Sequence, residues 1–233
     1  MRLKVTLNIL AAFAAVFLSC GQSATPPRAY FSLQSRGKVV GWISRVAVGA
    51  RRDCRGTFIV TGCRLYVRRW DDKRGVVDDE LALAAARRPG EPAHYVTGRW
   101  PGGEFRYRAG DYWRLIITDE FGNVAESRGG PPPSFLTFRG APLPVPTARS
   151  AGGGATLSTL DVATGRASRY LGRGDGRSWT GVGEGGYVRA SFDAEGAVAS
   201  YVGGGLSVRY AEEPPQPRGF LYRSAPAVYL PFI

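Results

Sequence analysis

Asp71, Asp72, Asp78, Asp79 and Glu80 crowd one stretch of the chain. Two carboxyls facing each other across a cleft can run glycoside hydrolysis, one as acid and one as base or nucleophile. Asp71, Asp79 and Glu80 are the candidates for that chemistry. Carboxylates in a loop can also hold calcium, but this spacing fits no calcium loop. A solvated charged turn competes with both readings. The lone histidine, His94, is all the chain has for Ser–His–Asp or Cys–His catalysis, and no nucleophile-elbow sequence accompanies it. A structural role fits His94 better. Gly172–Gly176 (GRGDG) is glycine-rich yet lacks the Lys-Ser/Thr of a phosphate loop. No cofactor, metal or catalytic set is therefore assigned.

Trp42, Trp70, Trp100, Trp113 and Trp179 could line a carbohydrate site, because aromatic faces stack on sugars. Core packing competes and suits at least three of them. Cys54 and Cys63 are expected to form one disulfide if the chain folds outside the cytoplasm. Closing so short a loop is worth roughly 2.5–3 kcal/mol on the chain-entropy model. The intervening Thr57–Thr61 (TFIVT) reads as a strand, so turns at Arg55-Gly56 and Thr61-Gly62 would have to bring the ends together. Zinc is the rival, with His94 as a third ligand. The tripeptide Arg173-Gly174-Asp175 resembles integrin-binding ligands, a match that chance supplies readily in an Arg/Gly-rich chain.

Charge narrows the partner class. The formal net charge is +12, and only Lys4, Lys38 and Lys73 are lysines. Arginine-rich surfaces suit anionic lipid, anionic envelope polymer or nucleic acid. No run of four or more cations occurs, so a solvated surface competes, and no nucleic-acid partner is expected. Grouping of the arginines on one face would favour a polyanion binder.

The elements that must carry these residues are strands. Asp111–Ser127 (DYWRLIITDEFGNVAES) alternates, turns at residues 119–123 and alternates again. Trp113, Leu115 and Ile117 would face one side, and Tyr112, Arg114, Ile116 and Thr118 the other. Glu104–Arg108 puts Phe105 and Tyr107 inward. Lys38–Val48 reads as a strand with Val40, Trp42, Val46 and Val48 on one face. Val77–Arg88 has helix-capping features but sits among strands, and strand is preferred. Val188–Phe192, Val198–Val202 and Leu206–Tyr210 read as a meander. Asp119, Asp161 and Asp193 each precede a glycine by three or four places, as in turns where glycine takes the left-handed position. With 32 glycines and 16 prolines among 233 residues, the expectation is an all-β protein. An antiparallel β-sandwich spans 30–140, a Pro/Gly-rich linker 141–155 and a smaller β-meander domain 156–233.

Ala109–Val124 (AGDYWRLIITDEFGNV) is similar to the closing hairpin of immunoglobulin-like domains in bacterial surface proteins. That likeness implies an immunoglobulin-like sandwich. The disulfide of antibody domains is not implied, since Cys54 and Cys63 lie too close in sequence to join the required strands.

The N-terminus bears on location. Arg2 and Lys4 precede an apolar run, Val5–Leu18, too short to span a bilayer. This reads as an export signal helix. Phe17-Leu18-Ser19-Cys20 resembles the lipobox of bacterial lipoproteins, which implies lipidation of Cys20 and cleavage before it. Phe17 stands where the family usually has leucine, and ordinary cleavage after Gly21 or Ser23 is the rival. Residues 1–20 would be the signal and 21–29 a tether. Gly21, by the same resemblance, argues against inner-membrane retention. The expected function is a non-enzymatic cell-envelope lipoprotein with a binding or assembly role. It would be exported and anchored on the periplasmic or outer surface, with the membrane, an anionic envelope polymer or an envelope protein as partner. The alternative is a secreted hydrolase of polysaccharide or peptidoglycan using paired carboxylates.

Overall fold

A computed structural model describes residues 28–52, 59–88, 91–147, 154–214 and 219–223. The described residues are all-β and form a large, mostly antiparallel open sheet. The first eight strands run up and down in chain order: β1 (Arg28–Ser35), β2 (Lys38–Arg52), β3 (Ile59–Asp71), β4 (Val76–Arg87), β5 (Ala93–Trp100), β6 (Gly103–Arg108), β7 (Trp113–Asp119) and β8 (Val124–Gly129). A short hairpin follows, β9 (Phe135–Phe138) and β10 (Ala141–Pro142). The second meander is β11 (Thr156–Asp161), β12 (Ala167–Gly174), β13 (Ser178–Gly183), β14 (Gly186–Phe192), β15 (Val198–Gly203) and β16 (Leu206–Ala211). A last strand, β17 (Leu221–Arg223), lies parallel to the start of β4.

One non-local pairing joins the two meanders. β1 pairs with β2 on one side and with β16 on the other, Leu33 opposite Val208 and Phe31 opposite Tyr210. Alternation sends one face of most meander strands inward. Ile43, Leu65, Leu83, Phe105, Tyr107 and Leu115 from the first meander share a single core cluster with Leu157, Trp179, Val188 and Val208 from the second. Between them sits the β9–β10 hairpin. Phe135–Phe138 are all buried, and so is every residue of 141–147. The hairpin's backbone is satisfied from several elements. Ser134 N donates to Ser158 O, Val162 N to Thr137 O, and Ala93 N to Pro146 O. A backbone buried this deeply needs such partners.

Several sequence expectations change here. The 141–155 linker is not an exposed tether over its described part, because 141–147 is core. Residues 30–140 and 156–214 share one sheet. Ile59–Asp71 runs through the expected turn at Thr61-Gly62 as one strand, β3. The segment preferred as strand at Val77–Arg88 is one, observed over Val76–Arg87. Trp42 and Val46 do not face the core; Ile43 does. The register slips between Leu33 and Gln34, so Val40 is an extra residue on β2. A bulge of that kind moves the residues beyond it to the opposite face. Within each of the two meanders, consecutive strands are paired neighbours. Residues 1–20, the expected signal with Cys20, lie outside the described residues.

Local turn chemistry matches its sequence signature. Gly122 N donates to Asp119 O, Gly165 N to Asp161 O and Gly196 N to Asp193 O. All three glycines have positive φ. The aspartate side chains cap the same turns, Asp119 Oδ1 accepting from Phe121 N and Asn123 N.

Glycine also has a packing role inside the strands. Gly98 lies directly opposite Phe105, and Gly129 opposite Trp113. Each ring lies over its glycine, so that a Cβ on Gly98 would stand 2.3 Å from the Phe105 ring. Aromatic cover of a cross-strand glycine pins register. Gly98→Val is expected to destabilise the protein by about 1–3 kcal/mol through overpacking. Gly130→Ala, where nothing lies within 4 Å of the added carbon, should stay within about 0.5 kcal/mol. Urea denaturation of both variants checks the contrast.

Candidate functional site

The outer face of β1–β3 carries a groove of about 300 Å³. Register builds it. Tyr30 lies opposite Ser44, Ser44 opposite Tyr66 and Trp42 opposite Arg68, all on one face. Arg28 and Tyr30 come from β1, Trp42, Ser44 and Val46 from β2, and Tyr66 and Arg68 from β3. Pro214 and Tyr222 close it from the C-terminal side. Tyr222 arrives because β17 docks beside Val76–Asp78 of β4.

The groove is aromatic and cationic. The Trp42 ring lies 6.2 Å from Trp70 and 6.3 Å from Tyr222, the latter edge-on. The Arg68 guanidinium sits 5.1 Å from the Tyr66 ring and 5.9 Å from the Trp42 ring. Its Nη1 donates to Ser44 Oγ at 3.4 Å. Among the described side chains, no carboxylate lines the groove. The indole N–H of Trp42 is buried and has no acceptor among the described residues. A buried donor without a partner costs free energy that an incoming acceptor would recover. The groove can therefore receive a ligand with a flat apolar face, a negative charge and a hydrogen-bond acceptor.

The predicted chemical residues fall elsewhere. Asp71 closes the β3–β4 turn, its Oδ1 accepting from Lys73 N and Arg74 N. Glu80 faces Arg69 at 2.9 Å. Burial pushes its carboxyl up, against the opposing pull of Arg69 and Arg139. The side chain of Asp79 lies outside the described residues. His94 is half-buried, and burial, with Arg88 adding to it, lowers its pKa. Among the described residues no three His, Cys, Asp or Glu side chains are placed to share a metal ion. The tryptophans divide. Trp113 and Trp179 are in the core and Trp100 packs against it, while Trp42 and Trp70 meet on the outer face.

The expected Cys54–Cys63 disulfide is not present among the described residues. Cys63 is a free, buried thiol. Its side chain points into the core from β3, with Ala47 and Ala85 as cross-strand neighbours. Cys54 lies outside the described residues. Burial pushes the Cys63 thiol up, against the guanidiniums of Arg45 and Arg87. A buried thiol of this kind is inert rather than nucleophilic.

Those two arginines form a clasp that sequence reading missed. Arg45 reaches Glu195 at 2.8 Å and Asp193 at 3.3 Å, and Arg87 reaches Glu195 at 2.6 Å. Arg45 and Arg87 belong to the first meander, while Asp193 and Glu195 sit on the β14–β15 turn of the second. The separation in sequence left no local signal. A second cavity, of about 470 Å³, has its charged lining already engaged. Arg166 pairs with Glu184 at 3.0 Å, and Asp161 accepts from Thr137 Oγ1 and Gly140 N.

No family model, curated protein or solved structure matches the chain. No helix among the described residues is long and apolar enough to cross a membrane.

The clasp makes a pH prediction. Burial alone would raise the Glu195 pKa, but the hydrogen bond and charge of Arg87, with Arg45, lower it overall. A depressed carboxyl contributes stability above its unfolded pKa and loses it as pH falls through the folded value. Glu195 is partly exposed, so screening limits the effect to about 1 kcal/mol. Glu195→Gln is expected to lose that amount at neutral pH. The difference from the parent protein should vanish in acid, below the ordinary glutamate range, as read by denaturant midpoints across pH.

Proposed function

We propose that this chain is an exported, non-enzymatic envelope lipoprotein that binds an anionic saccharide polymer in the groove on β1–β3. The observation that carries this reading is the groove's lining among the described residues: aromatic rings, two guanidiniums and no carboxylate. Tyr66 and Tyr222 offer faces and edges to a sugar ring. Arg28 and Arg68 supply charge-assisted donors for a carboxylate or phosphate, the geometry for which guanidinium is suited. Trp42 contributes the unpartnered indole N–H. The rest of the sheet holds these side chains at fixed spacing, which lowers the ordering cost of binding.

The expected sandwich enters this reading as two layers. They are the β1–β8 and β11–β16 parts of one sheet, held face to face over the β9–β10 hairpin. The single core cluster and the Arg45–Glu195 clasp support that arrangement. The hydrolase alternative loses support, because Asp71 is engaged in a turn and Glu80 faces Arg69. Membrane attachment through an acylated Cys20 rests on the lipobox resemblance.

Binding of a uronic-acid oligosaccharide, followed by tryptophan fluorescence, tests the groove. Arg68→Gln and Tyr222→Ala are each expected to weaken it about tenfold, near 1.4 kcal/mol. Neutral dextran should not compete. Unchanged affinity in both variants would sink the assignment. For the anchor, intact-mass measurement of the membrane fraction should show a chain beginning at Cys20 and carrying acyl groups. A chain beginning at Gln22 or Ala24 would refute lipidation.

A further inference from the structure

The outer face of the second meander combines free charge with exposed apolar side chains. On β5–β8, two glutamates each hold two arginines, while Arg108 is exposed with no ion pair among the described residues. Arg99 and Arg106 flank Glu104 at 3.1 and 3.2 Å, and Arg114 and Arg128 both bind Glu126. On β12–β16, Arg169, Arg173, Arg189 and Arg209 are exposed and have no ion pair or hydrogen bond among the described residues.

Register sets what lies between them. Leu171 is opposite Val182, and Val182 is opposite Tyr187. These three form an apolar row across β12, β13 and β14, exposed at 72%, 59% and 51%. Arg169 stands two residues before Leu171 on the same strand face. On the other side runs the next row, Arg173 opposite Thr180, Thr180 opposite Arg189, and Arg189 opposite Val202. Val202 is itself 42% exposed. The row after that is Ser178, Ser191, Ser200 and Arg209. No aspartate or glutamate lies within these rows. The face is an apolar stripe bordered on both sides by free guanidiniums.

We infer that this face lies against an anionic lipid surface, with Leu171, Val182 and Tyr187 at the acyl boundary and the four arginines among the headgroups. Exposed apolar area rimmed by basic side chains is the composition that interfacial binding needs. Each arginine near an anionic surface is worth about 1 kcal/mol, roughly a fivefold factor. A purely polyanionic partner would explain the arginines but not the apolar row. The inference rests on the proposed envelope location. It gives the exported domain a fixed orientation, with the β1–β3 groove farther along the same outer face, Ser32 standing between Arg209 and Trp42.

The test places a reporter in the apolar row. The full chain bearing Tyr187→Trp is reconstituted into vesicles of phosphatidylglycerol with brominated acyl chains. Bromine quenching of the added indole is expected at low salt. It should be lost at about 1 M salt, where the Debye length falls to about 3 Å. Quenching should also be lost in phosphatidylcholine vesicles. Changing Arg169, Arg173, Arg189 and Arg209 together to Gln should reduce the docked fraction by about a hundredfold or more. These are exposed positions, and circular dichroism checks that the sheet persists. Absence of quenching, or quenching unaffected by the four substitutions, overturns the inference. Loss of oligosaccharide binding in the four-arginine variant, with the indole of the Tyr187→Trp chain unquenched even when all four arginines are present, would assign the face to a soluble polyanion and also overturn it. Arg68→Gln and Tyr222→Ala should leave quenching unchanged, so failure of the groove and failure of this face are read separately.

Discussion

The pairing of β1 with β16 is the constraint on which the rest depends. Among the described residues it is the ladder that ties β1–β8 to β11–β16, Tyr30 through Ser35 against Leu206 through Ala211. Without it, each meander would expose an apolar face. With it, both faces close on the β9–β10 hairpin, and Phe135, Leu136 and Phe138 fill the space between. A pairing across so long a stretch of chain carries a loop-closure cost that must be met before its contacts form. The many short hairpins offset this by bringing distant strands into place in steps.

The clasp of Arg45 and Arg87 on Glu195 has a different character. It ties the inner end of β2–β4 to the β14–β15 turn, beside the buried thiol of Cys63. Breaking one partner of such a cluster leaves guanidinium charge poorly solvated. Its contribution is therefore to alignment of the two halves as much as to net stability.

The outer surfaces divide the labour. Between β5 and β8, Glu104 and Glu126 each hold two arginines, so part of the positive charge there is offset. On β1–β3, arginine lies over aromatic rings and a groove opens. On β12–β16, arginine is left free beside exposed apolar side chains. The same residue type thus does three things according to its cross-strand neighbours. The net charge of +12 conceals this division.

Much of the sheet was legible in the residues alone. Period-2 alternation placed Phe105 and Tyr107 inward, and the Asp-to-Gly spacing located the turns at Asp119, Asp161 and Asp193. These depend on interactions within a few residues, which sequence records directly. The strand identity of Val76–Arg87 came from its neighbours rather than from its own alanine-rich, helix-favouring composition. What tertiary structure alone decided was everything set by register across distant strands. The bulge at Val40 turned Trp42 outward, the β1–β16 ladder merged the two expected units, and the burial of 141–147 converted a supposed linker into core. Proline and glycine in that segment signal a break in regular structure, but they do not say whether water or protein surrounds it. The groove, the clasp and the free arginine face exist only where strands remote in the chain are brought side by side, and no local pattern encodes which strand that will be.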